Sequence, residues 1–136
     1  MTTAESETET KQGKPSAPLE ILIHRLIRTY VRVMTTNRCG KKWDDFKDKK
    51  IKDEKTGRER IAVPADYREA QEKVVSDAFL AMRSRREQDF VDYFTSNICR
   101  VSQYLRDDEF QVVAEALLNE PQKVKTIAML SLSANS

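Results

Sequence analysis

The sequence predicts an all-α protein: a compact bundle of about five helices with a flexible N-terminal arm and one charged loop. Three observations predict it. Apolar residues return at helical spacing through most of the chain after Leu19, the chain holds only three glycines, and no confident strand ladder can be drawn. Helices joined by short connections bury such stripes most economically against one another.

Residues 1 to 18 (MTTAESETETKQGKPSAP) carry almost no large apolar group and two prolines, and they predict a flexible arm. Residues 19 to 136 then form a single domain of about 118 residues, long enough to bury a core without disulfides or metals. Deleting residues 1 to 18 is expected to leave thermal unfolding and complex assembly unchanged. A deletion that blocks assembly would refute the arm.

The first helix spans Leu19 to Met34, where Leu19, Leu22, Ile23, Leu26, Ile27, Tyr30, Val33 and Met34 recur at its period. On that wheel Arg25, Arg28 and Arg32 fall roughly opposite the apolar centre, with His24 on the flank and Ile21 on the arginine side. Residues 39 to 64 hold nine Lys or Arg against six Asp or Glu, with Trp43, Phe46, Ile51 and Ile61 as apolar anchors. This stretch predicts a charged excursion from the helical body, with Thr56-Gly57 suited to turning a short hairpin.

Pro64 and Asp66, with Glu69 three residues on, predict the start of a second helix that carries Tyr67, Ala70, Val74, Ala78, Ala81 and Met82 on one side. Ser84 and Glu87 mark another start. The stripe of Phe90, Val91, Phe94 and Ile98 beyond it is rotated by roughly half a turn relative to the preceding one, so the chain either breaks or kinks near Ser84 or presents each half to a different partner. A fourth helix is capped by Asp107, with Phe110, Val113, Ala114 and Leu117 inward. A fifth is begun by Pro121, with Val124, Ile127, Ala128 and Leu132 inward.

Chemistry is sparse along the chain. One histidine and two cysteines 60 residues apart supply neither a nucleophile beside a base nor a zinc site, and no Gly-rich phosphate loop is present. Asp44-Asp45 and Asp107-Asp108-Glu109 suit helix starts better than a cation, because adjacent side chains diverge. The expectations are no enzymatic activity, no cofactor, no metal and no small-molecule substrate. Without a signal peptide or a long apolar run, the expected location is the cytoplasm, with Cys39 and Cys99 as thiols.

With 34% charged residues and a net charge of only +2, the basic signal is local. It lies in four clusters: Arg25, Arg28 and Arg32; Lys41 and Lys42; Arg83, Arg85 and Arg86; Lys123 and Lys125. These are the candidate nucleic-acid contacts, weighed against solvated faces paired with Glu20, Glu87, Asp89 or Glu120. Most aromatics, Tyr67, Phe79, Phe90, Tyr93 and Phe94, fit core stripes. Trp43 is either an exposed stacking ring or an anchor for the loop.

The runs YREAQEKVVSDAFLAMRSRREQDFVDYFTSNICRV, residues 67 to 101, and DEFQVVAEALL, residues 108 to 118, resemble the C-terminal helical domain of the large subunit of type I-B CRISPR interference complexes. That region is also known as a free polypeptide, the small subunit of Cascade, made from an internal translation start. The opening of this chain, Met1 followed by a linker-like stretch, fits such a start. The resemblance covers most of the chain after Leu19 and rests on overall similarity rather than a motif. It implies a non-catalytic helical subunit present in several copies along the belly of the complex, beside backbone and large subunits, crRNA and target DNA. There it would stabilise the R-loop by sequence-independent backbone contacts. Recognition of the protospacer-adjacent motif is not carried over, because nothing here is long enough for it. The alternative is a helical protein-protein adaptor with no direct nucleic-acid contact.

Overall fold

The computed structural model describes residues 18 to 135. The expected flexible arm lies outside the described residues except for its last residue. Pro18 belongs to the folded body: it is the N-cap of the first helix, and its carbonyl accepts from the amides of Ile21 and Leu22 at 3.0 and 3.2 Å. The deletion that tests the arm therefore stops at residue 17.

The chain runs through α1 (Leu19–Cys39), a 3-10 turn (Trp43–Asp45), β1 (Lys50–Lys52), β2 (Glu59–Ile61), α2 (Ala65–Met82) and α3 (Glu87–Ser96). It continues through a 3-10 segment (Ile98–Tyr104), α4 (Asp107–Asn119) and α5 (Pro121–Ala134). Among the described residues five α-helices therefore form the body, as the sequence predicts.

Helix α1 is the axis of the bundle and packs against α2, α5, the 3-10 segment and α4. Its buried arc consists of Leu22, Ile23, Leu26, Ile27, Tyr30 and Val31, with Thr35 at the end. Val31 and Thr35 widen the stripe beyond the spacing that predicted it, which lets neighbours surround it on several sides. The Thr35 hydroxyl donates to the Val31 carbonyl at 2.6 Å, so this buried polar group is satisfied within its own helix. Helix α1 also runs five residues past its expected end at Met34, which sits at the rim. It stops at Gly40, whose φ of +78° is the left-handed conformation that glycine adopts without steric cost, and whose N–H donates to Thr36 O at 2.7 Å.

One core gathers the stripes: Leu26, Ile27, Tyr30, Val74, Ala78, Phe90, Phe94 and Val113 are buried together, while Leu117 and Ile127 pack against them at the edge. Phe79, expected inward, is exposed, and Val75 is buried in its place. On α4 the buried positions are Glu109, Val113 and Ala116, so Phe110, Ala114 and Leu117 lie at the border. The hydroxyls of buried Tyr30 and half-buried Tyr93 meet at 2.8 Å and tie α1 to α3. Burial first, then that hydrogen bond, raises the Tyr93 phenol well above its usual range. Both cysteines are free, and burial pushes the Cys99 thiol up to about 11.

The expected caps are corrected. Pro64, Arg86 and Arg106 occupy the N-cap positions of α2, α3 and α4, and none of them makes a side-chain cap hydrogen bond. Ser84 instead organises the break between α2 and α3, accepting from Arg86 N at 3.2 Å and donating to Asp89 at 2.7 Å. Asp107 is the first residue of α4. Glu109 supplies the reciprocal bond, accepting from Arg106 N at 3.0 Å, and all three acids of that first turn complement the helix dipole.

The hairpin expected around Thr56-Gly57 is present. β1 and β2 pair antiparallel with Lys50 opposite Ile61, Ile51 opposite Arg60 and Lys52 opposite Glu59. Asp53 builds the turn by accepting from Lys55 N at 2.8 Å and Thr56 N at 3.3 Å, while Gly57 takes φ +74°.

Candidate nucleic-acid interface

The ten basic candidates divide by what they touch. Arg25 donates to Glu109 at 3.0 Å, and Glu109 is nearly buried, so this side chain joins α1 to the start of α4. Removing Arg25 would leave the nearly buried carboxylate with only the longer ion pair to Arg106, 3.9 Å away, which makes Arg25 structural in part. Lys41 pairs with Asp66 at 2.8 Å, fastening the end of α1 to the start of α2. Arg86 reaches Asp89 at 3.8 Å, the pairing foreseen from helical spacing. Lys125 donates to the Ser84 carbonyl at 2.6 Å. Arg28, Lys42, Arg83, Arg85 and Lys123 are exposed and make no ion pair with any described residue.

Arg32 has a different role. Its guanidinium lies 4.9 Å from the centre of the Trp43 ring, a cation–π distance. Trp43 in turn meets Phe46 edge-on at 5.4 Å and Tyr67 at 6.2 Å, and Phe46 and Tyr67 meet at 4.9 Å. This aromatic group anchors the charged loop to α1 and α2, so the anchoring reading of Trp43 holds and Arg32 covers its outer side. Burial, and then the neighbouring Arg28, lower the Arg32 pKa, but a guanidinium keeps its charge at neutral pH.

The fold brings the clusters into two regions rather than one. The Lys41–Asp66 pair places the start of α2 at the end of α1, so α2 runs back and delivers Arg83, Arg85 and Arg86 towards the other end of α1. There Lys125 reaches Ser84 and Gln122 donates to Glu87 at 3.2 Å, which adds Lys123 and Lys125 of α5 to the same end. Arg28 sits near the middle of α1, about 14 Å along the axis from Leu19, while Arg32 lies in the second half of the helix and Lys42 just beyond its end. Two residues there went unmarked in the sequence. Arg100 and Tyr104 project from the 3-10 segment beside the second half of α1, and both are exposed. No spacing marked them, since they follow the Phe90–Ile98 stripe, whose last residue is completely buried.

The Lys41–Asp66 link sets a pH expectation. The Lys41 hydrogen bond holds the Asp66 carboxyl below the usual carboxylate range; desolvation opposes it, and the Tyr67 N–H adds a weaker lowering. A depressed folded-state pKa stabilises above the unfolded value, near 4, and that contribution is lost as pH falls through the depressed value. Limited proteolysis within residues 40 to 62 is expected to speed up for Asp66→Asn at pH 7. The wild type should reach the same rate only in acid, and a variant no more cleavable than wild type would remove the tether.

The family described as Type I-B CRISPR Cas8b C-terminal domain matches residues 1–135. The chain belongs to that family. No curated protein and no solved structure matches it. For this Cas8b C-terminal domain chain the mostly helical architecture and the resemblance of residues 67 to 101 and 108 to 118 point the same way. No described helix is long and apolar enough to cross a membrane.

His24 makes no hydrogen bond or ion pair with any described residue. Asp44 pairs with Lys47 at 3.2 Å and Asp108 with Arg106 at 3.1 Å, and no described group of His, Cys, Asp and Glu is placed to hold a metal ion.

Proposed function

We propose that this chain is a non-catalytic small subunit of a type I-B CRISPR surveillance complex in the cytoplasm. It lines the belly of the complex in more than one copy and stabilises the R-loop through contacts to the nucleic-acid backbone. Membership of the Cas8b C-terminal domain family over residues 1–135 carries this reading. The exposed, unpaired Arg28, Arg83, Arg85 and Lys123 support it, since base pairing with the guide supplies sequence recognition and the protein need supply only electrostatics. Its partners are then the backbone and large subunits, other copies of itself, crRNA and target DNA, with no cofactor.

Exposed Ile21, Leu118 and Leu130 favour a second reading, an adaptor that binds protein alone. The two separate in a reconstituted complex assembled with and without this chain. Omission is expected to lower R-loop formation, read by reactivity of the displaced strand, at least about tenfold, with recovery on adding the chain back. Unchanged R-loop formation would overturn the proposal.

A further inference from the structure

Between the second half of α1, the Trp43–Asp45 turn and the 3-10 segment runs a trough formed by two adjoining hollows of about 450 and 440 Å³. They meet at Val33, Asn37 and Tyr104. We propose that this trough seats an unpaired base of a single nucleic-acid strand against Tyr104, with Arg32, Lys42 and Arg100 holding the flanking phosphates.

Three observations carry it. Tyr104 is 62% exposed, its hydroxyl has no hydrogen-bond partner and its ring meets no other ring among the described residues. A large aromatic face left open in a hollow is a stacking surface, and only an unpaired base presents a free face to it, because a duplex hides both faces of each base in the stack. Second, the wall is cationic. Arg32, Lys42 and Arg100 border the trough, and the one acid lining it, Asp44, is engaged by Lys47. Third, the Arg32 guanidinium lies over the Trp43 ring and makes no hydrogen bond with any described residue, so its N–H groups remain available to phosphate oxygens. An aromatic or proline-rich peptide would fill the same hollow but gives these cations nothing to neutralise.

The proposal rests on the nucleic-acid reading but makes a narrower claim, and its test keeps the two apart. The full chain is titrated with labelled oligothymidylate and with a duplex of equal length at low salt, following anisotropy and the fluorescence of Trp43, the sole tryptophan. Oligothymidylate is expected to change Trp43 emission. Tyr104→Ala should weaken single-strand binding about tenfold with duplex binding and the salt slope unchanged, and Tyr104→Phe should bind within about twofold of wild type. Equal binding by wild type and Tyr104→Ala overturns the stacking site while leaving the backbone contacts intact. So does an equal loss on duplex and single strand. If wild type binds neither probe, the trough is overturned, and the add-back experiment still decides the role in the complex. If Tyr104→Ala binds oligothymidylate normally but fails to enter the complex, the trough is a protein contact.

Discussion

Phe94→Ala is expected to lower the free energy of unfolding by about 3 to 5 kcal/mol. Phe94 is completely buried, and its ring lies 5.5 Å from Phe90 at an angle of 45°. Truncation removes the transfer free energy of the ring and leaves a cavity that α1 and α5 cannot fill without moving. Against a total stability of about 5 to 15 kcal/mol for an ordinary domain, that loss brings the protein near its limit. Urea denaturation reads it as a lower midpoint with an unchanged slope. Leu26→Ala, on the central helix, should cost about 2 to 5 kcal/mol by the same mechanism. A loss below about 1 kcal/mol at Phe94 would mean that α3 does not share the core of α1.

The second large effect concerns the unpaired arginines. Reversing Arg28, Arg83 and Arg85 to Glu is expected to weaken DNA binding by the assembled complex and to flatten its dependence on salt. Each phosphate contact removed takes about 0.7 to 0.9 from the slope of log affinity against log salt, so three together take about 2 to 3. Sequence preference should stay fixed, because none of these contacts reads a base. Arg25 and Arg32 are left out of the set: the first holds Glu109 and the second covers Trp43, so reversing them would confuse stability with binding. Guide loading and incorporation of the chain should remain close to wild type. An unchanged slope would make these arginines a solvated face and favour the adaptor. Expulsion of the chain from the complex would make them protein contacts.

The body of the fold was legible because helical spacing and the break near Ser84 are local properties of the chain. The end of α1 was misplaced at Met34 because its apolar stripe thins there, although Gly40, two turns on, marks the stop. The caps at Asp66, Ser84 and Asp107 were misassigned for a shared reason. Each short polar side chain found a stronger or nearer partner than the amides it was expected to cap, or fell one position inside the helix. The basic candidates were found as clusters, but nothing in a sequence says that Arg25 reaches a carboxylate 84 positions away. Nor could spacing show that Trp43 is covered, since Arg32, Phe46 and Tyr67 come from different elements.

The 3-10 segment from Ile98 to Tyr104 spans seven residues, longer than such runs usually extend. With three residues per turn, Ile98, Val101 and Tyr104 stand in a single file, and two of the three are buried. Winding the same residues as α-helix would swing Tyr104 about 120° around the axis relative to Ile98, at about 20° per residue over six residues. The tightness of this coil therefore acts as an aiming device: Ile98 and Val101 fix its seat in the core, and its pitch decides which way the tyrosine at its tip points. An insertion of one residue between Val101 and Tyr104 would turn that ring by roughly a third of a revolution.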